Sequence, residues 1–174
     1  KFEEKIKNKS YSHFMFLEDD IIVSSENISY WLYFRKKLKK YNLIPNFLRC
    51  EKFNGKYYSV DNPKVILKDK VPTILSQSKI SGFINSKYPY SGMYLMDRDL
   101  LKNFLNSKAA KIDFSFTNKV MKSLYPIKEL ANISYAYHSV PPGYHNRLVL
   151  PFFKNKILPS CIILHSELKY VRHK

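Results

Sequence analysis

The chain has 174 residues, 45% of them hydrophobic and 16% aromatic, which suits a single globular domain with a sizeable core and excludes a disordered chain. Its formal net charge of +16 points to anionic partners, whether nucleic acid, a membrane surface or charged substrates. No apolar run approaches the roughly 18–20 residues that span a bilayer, and neither Cys50 nor Cys161 sits in a zinc or redox-motif spacing. Arg occupies only positions 35, 49, 98, 147 and 172, and the other basic residues are all Lys. With abundant Asn, Ile and Tyr, this reads as a coding bias that replaces Arg by Lys over a whole surface, with a modest true preference for anions. A reducing compartment is the default expectation for the two thiols, and a disulfide between them stays open. The polar, helix-like start at Lys1 reads as the interior of a longer protein.

In chain order, residues 2–9 read as the end of a helix. His13-Phe14-Met15-Phe16-Leu17 reads as a buried strand that runs into Glu18-Asp19-Asp20. Ser24-Ser25-Glu26-Asn27 offers N-cap chemistry for a helix over about 26–40. Ile28, Trp31, Leu32, Phe34 and Leu38 form its core stripe, and Lys36, Lys37, Lys39 and Lys40 its solvated face. Residues 47–51 predict a strand, Asn54-Gly55 a tight hairpin turn, and 56–60 the returning strand. Residues 61–78, with Pro63 and Pro72, read as irregular connection. Residues 88–96 predict a turn entering a strand, and Asp97 or Asp99 then caps a helix over about 98–107. Further helices are predicted at 114–124 and 126–132, a strand at 135–140, a stiff turn at Pro141-Pro142-Gly143, and a last buried strand at 160–164 ending at His165. The order is mixed α/β without regular βαβ alternation.

Four groups of residues could carry chemistry. Three consecutive carboxylates at a strand tip are costly to bring together unless a cation neutralises them, and carboxylates are the ligands Mg²⁺ and Mn²⁺ prefer. Asp20, the acid freest of the strand, is the best direct ligand, and Asp19 could take a metal water or a sugar hydroxyl. His165 ends another apolar strand in the same way and is a candidate second ligand, imidazole suiting Mn²⁺ better than Mg²⁺. Glu129 follows Pro126 in the first turn of a predicted helix, where it stays ionised and could act as a base on a sugar hydroxyl. Finally, Pro141-Pro142-Gly143-Tyr144-His145-Asn146-Arg147 is a proline-stiffened loop suited to a polar, anionic ligand.

Taken in order, these stretches resemble bacterial glycosyltransferases of the GT-A fold that carry a strand-end D-x-D type motif. The resemblance rests on residues 16–21 with 30–35, on 43–49, on Tyr88-Pro89-Tyr90-Ser91-Gly92-Met93-Tyr94, on Ile127-Lys128-Glu129 with Ala131, on 140–144 with Arg147, and on His165. It implies an α/β, mixed-sheet nucleotide-diphospho-sugar transferase domain covering 1–174 whose N-terminal, base-binding portion is missing. It further implies that Asp20 and His165 hold Mn²⁺ or Mg²⁺, and that Glu18, Asp19 and Arg147 contact the donor. Tyr90, Ser91, Gly92, Met93 and Tyr144 would line the acceptor site, and Glu129 would be the base of an inverting transfer. Two departures stand out: Lys128 where the family often has Arg, and His165-Ser166-Glu167-Leu168 where it often continues His-Leu-Pro-Asn.

The expected function is metal-dependent transfer of a sugar from a nucleotide diphospho-sugar to a glycan or lipid-linked hydroxyl. The expected location is the cytoplasm, at the inner face of a membrane that the basic surface would contact peripherally, with no nucleic acid as partner. The alternatives are a basic binding module for nucleic acid or anionic polysaccharide, a metal-dependent hydrolase or nuclease using the same acids, and a non-catalytic remnant.

Overall fold

A computed structural model describes residues 2–60, 82–86, 89–111, 129–130, 133–154 and 156–169. The elements are α1 (Phe2–Lys5), β1 (His13–Leu17), β2 (Ile21–Ile22), α2 (Ser25–Leu38), β3 (Ile44–Pro45), β4 (Leu48–Phe53), β5 (Lys56–Ser59) and β6 (Gly82–Ile84). They continue with β7 (Met93–Asp97), α3 (Arg98–Leu105), β8 (Leu148–Phe153), β9 (Lys156–Ile157) and β10 (Ile162–His165). The architecture is mixed α/β. Strands β1 and β7 pair antiparallel; a second sheet runs β2-β10-β4-β5, with β10 parallel to β4; a third runs β3-β8-β6, with β9 on β8.

Helix α2 forms where the cap chemistry predicted. The Ser24 hydroxyl accepts from the Asn27 backbone N–H at 3.2 Å, and the Asn27 side chain accepts from the Ser24 N–H at 2.8 Å. The Asn27 amide also donates to the carbonyls of Ser160 and Ile162, tying the start of the helix to the start of β10. Trp31, Phe34 and Leu38 are buried as expected, whereas Leu32 is exposed and Ile28 only half-buried. The buried face turns instead through Tyr30, whose hydroxyl donates to the Asn46 carbonyl, and Arg35.

The structure corrects several expectations. The first helix ends at Lys5. Strand β1 is not buried throughout: Phe14 is buried, while Met15 and Leu17 alternate outward, the period-2 pattern of a strand covered on one face. Residues 134–137 form a 3-10 turn, not a strand. The His138 N–H closes back on the Tyr135 carbonyl, and Ser139 at φ +56 breaks any extended run. The last strand begins at Ile162, because Pro159 opens a 3-10 turn through Cys161. Strand β8 has no counterpart among the expected elements, and it contains Pro151, a residue that usually disfavours a strand inside a sheet. Val149 accepts from the Asn46 N–H, so by alternation the missing N–H of Pro151 faces the same side, where β3 has already ended. Both cysteines are free, buried thiols, so no disulfide joins them.

Asn54 and Gly55 both have positive φ, at +48 and +75, the geometry that a two-residue hairpin turn requires. Asp97 caps α3, accepting from the Leu100 N–H at 2.7 Å. The connection predicted at 61–78, the helix at 114–124 and most of that at 126–132 lie outside the described residues, though 129, 130 and 133 are helical. Among the described residues no helix is long and apolar enough to cross a membrane.

Candidate functional site

The site sits where the turn after β1 meets the end of β10 and the middle of β4. Strand β10 lies between β2 and β4; His165 is opposite Ile21, and Leu164 opposite Cys50 carries His165 alongside Glu51. The Ser166 N–H donates to the Asp20 carbonyl at 2.8 Å, fastening the acidic turn to the end of β10. On β4, Arg49 and Glu51 alternate with Leu48 and Cys50, so both charges face the same side.

Asp20 and His165 meet there, with Oδ2 and Nε2 3.1 Å apart. The other ring nitrogen, Nδ1, lies 2.6 Å from the Glu167 carbonyl oxygen and 3.3 Å from Oε1 of Glu51, a carboxylate with 0% exposure. Both of these partners can only accept, so Nδ1 carries a proton, and the ring presents Nε2 to Asp20. A second proton on Nε2, or a cation in its place, makes that approach favourable. Lys169 Nζ, 3.7 Å from the same Asp20 oxygen, adds positive charge from the solvent side. The second Asp20 oxygen, Oδ1, is shut from solvent and has no hydrogen-bond partner among the described residues, an arrangement that is costly for a carboxylate unless something positive reaches it.

Asp20 and His165 offer donor types that suit the expected Mn²⁺. Carboxylate oxygen and imidazole nitrogen are the donor types Mn²⁺ accepts, and a buried carboxylate on the far ring nitrogen is the usual support of a metal-binding histidine. Among the described residues no group of three or more His, Cys, Asp or Glu is arranged to hold a metal.

Glu18 is used differently. It accepts a hydrogen bond from the Tyr90 hydroxyl, and Oε2 lies 3.5 Å from an Arg49 guanidinium nitrogen. That guanidinium also sits over the Tyr90 ring, 5.3 Å from its centre. The Glu18 N–H donates to the Gly92 carbonyl at 3.0 Å. Gly92 has φ +70, and a Cβ there would stand 2.6 Å from Glu18 Oε2, so the close approach requires glycine. Burial, the Glu18 bond and the charges of Glu18 and Glu129 all raise the Tyr90 pKa well above its ordinary value, and Arg49 opposes them. Tyr90 therefore stays a protonated donor. The influence of Glu129, itself half-buried, places that carboxylate within electrostatic reach of Tyr90.

The structure thus brings together Glu18, Asp20, Tyr90 and His165, with Glu129 within electrostatic reach of Tyr90. Asp19 is exposed on the same turn. Ser91 and Met93 are buried, and the Ser91 hydroxyl donates to the Met93 carbonyl, so both support the turn from inside. Arg147 and Tyr144 fall elsewhere. Arg147 donates from Nε to the Asn42 carbonyl at 3.0 Å, and its charge is felt with that of Arg35 at Tyr135; burial lowers its pKa. Tyr144 lies near Tyr41 and is pushed up by burial. Arg35 pairs with Asp97, at the His13 end of the β1–β7 ribbon, about 13 Å of strand from the Met93 end.

Arg49 and Glu51 were missed by sequence reasoning. The available signal was two opposite charges at alternating positions inside an apolar strand. No family model matches the chain, and no curated protein and no solved structure matches it.

Proposed function

We propose that the chain is a metal-dependent glycosyltransferase of GT-A type, moving a hexosyl or N-acetylhexosaminyl group from a nucleotide diphospho-sugar to a hydroxyl of a glycan or lipid-linked acceptor. One observation carries the reading. Asp20, in the turn that leads into β2, and His165, at the end of the neighbouring strand β10, are 145 residues apart in sequence and 3.1 Å from one another, with the second Asp20 oxygen buried and without a hydrogen-bond partner among the described residues. Bound there, Mn²⁺ or Mg²⁺ would neutralise charge on the diphosphate leaving group.

The protein's own groups do the rest. Glu51 and the Glu167 carbonyl hold His165 in the tautomer that presents Nε2. Tyr90 and Arg49 fix Glu18 beside the metal-binding turn, where it can accept from a sugar hydroxyl. Glu129 takes the proton of the acceptor hydroxyl as that oxygen attacks the anomeric carbon. The bond from that carbon to the diphosphate breaks, and the nucleoside diphosphate leaves from the opposite face, which inverts the anomeric centre.

Calorimetric titration of UDP and GDP, with and without Mn²⁺, into the wild type and Asp20→Ala tests this. Nucleotide binding that requires Mn²⁺ and vanishes in the variant is expected. Binding of neither ligand would overturn the reading and favour a basic binding module, whose affinity for a polyanion would fall steeply with salt and be indifferent to Asp20.

A further inference from the structure

The β4–β5 hairpin, beyond the residues that face the site, has a composition that the transferase reading does not use. Lys52, Phe53, Lys56, Tyr57 and Tyr58 are all exposed; Phe53 is 38%, Tyr57 53% and Tyr58 37% exposed. The register sets Lys52 opposite Tyr57 and Phe53 opposite Lys56. By strand alternation Phe53, Lys56 and Tyr58 share one face, and Lys52 and Tyr57 the other. Aromatic rings and ammonium groups therefore occupy both faces of a ribbon closed by the tight Asn54-Gly55 turn. The Lys52 ammonium lies over the Tyr57 ring, 5.7 Å from its centre. The hairpin's one acid, Glu51, is wholly buried against His165, so the exposed part carries positive charge alone.

We propose that this hairpin is a membrane-contact element that enters the headgroup region of an anionic bilayer. A ring platform for a sugar or a base needs aromatic side chains on one face. Rings on both faces, each beside a lysine, suit a medium that surrounds the tip. Tyr and Phe settle at the boundary of headgroups and acyl chains, and lysines reach up to phosphates. The charge complementarity is one-sided, since the tip offers cations and no exposed acid, on a chain of net charge +16. The inference rests on the hairpin and not on the transferase reading.

The test uses the whole chain and phosphatidylcholine vesicles with and without phosphatidylglycerol. The wild type should sediment with the anionic vesicles only. Lys52→Gln with Lys56→Gln should weaken this about 25-fold, at about fivefold per lysine. Phe53→Ser with Tyr57→Ser, which keeps every charge, should weaken it about tenfold or more. A Tyr57→Trp variant reads insertion directly: its new indole should be quenched by brominated acyl chains, while Trp31, the only native tryptophan and 1% exposed, should not be. Failure to bind anionic vesicles overturns the proposal. So does binding that ignores the aromatic substitutions, or binding without quenching of the new indole, since the net charge alone would then explain it. Mn²⁺ and nucleotide titrations of the same variants should match the wild type, which separates this outcome from that of the transferase reading.

Discussion

Glu18 and Gly92 are bonded across the acidic turn, the Glu18 N–H donating to the Gly92 carbonyl, and they define what substitution there should do. In Gly92→Ala the methyl group meets the Glu18 carboxylate, and a non-glycine residue is forced to a positive φ. That backbone strain costs about 1–2 kcal/mol, which urea denaturation should register, and Glu18 must also leave its partners. Tyr90→Phe is the milder companion. It removes one hydrogen bond to a charged group, about 1.5–3 kcal/mol before relaxation, and leaves Arg49 in place. If Glu18 positions the donor, both variants weaken Mn²⁺-dependent nucleotide binding; if it only braces the turn, Tyr90→Phe loses stability without losing affinity. Composition pointed to the acids, because three carboxylates in a row stand out in any sequence. It did not assign their tasks, which depend on Arg49 arriving from β4 and Tyr90 from the segment that leads into β7.

Among the elements, the junction of β7 and α3 gives one side chain two structural tasks. Asp97 caps the helix through Leu100 and pairs with buried Arg35 of α2 at 2.7 Å. Asp97→Ala should therefore lose the cap, about 1 kcal/mol, and leave a guanidinium buried without its carboxylate, about 3–5 kcal/mol. Asp97→Asn keeps the cap and should retain the smaller part, a split that denaturation midpoints of the two variants would resolve. Local signals made such elements legible: the Ser24–Asn27 cap of α2, the Asn54-Gly55 turn and the Asp97 cap each read out from adjacent residues. The illegible parts were those decided at a distance. Strand β8 is admitted past Pro151 because β3 is short, and the 134–137 turn replaces a strand because Arg147 bonds to Ala136. Arg147 and Tyr144, chosen for an exposed polar loop, lie instead by Asn42 and Tyr41, because Arg147 immediately precedes β8 and its carbonyl accepts from the Ile44 N–H of β3.

For the whole molecule, buried tyrosines set an alkaline limit. Burial raises the pKa of Tyr30, Tyr90 and Tyr135 above the ordinary value near 10. The folded state thus holds protons that the unfolded chain releases, so stability is full below pH 10 and falls as pH rises beyond it. Denaturation midpoints should be flat from neutrality to pH 9 and then decline, with tyrosinate absorbance rising only as the protein unfolds. The pairing of Asp20 with His165 acts at the same scale. It joins positions 145 residues apart, so nothing short of nearly the whole described chain, folded in register, can assemble the donor pair. A ligand held there is a clasp: it recognises finished molecules and ignores unfinished ones. At a hundred times its dissociation constant it would add about 2.7 kcal/mol to folding, roughly 5–10 °C in melting temperature for a chain of this size. If Asp20 and His165 hold Mn²⁺ as proposed, the ion should produce that rise in the wild type and none in Asp20→Ala, and a melting curve taken with and without it would count how many chains have closed.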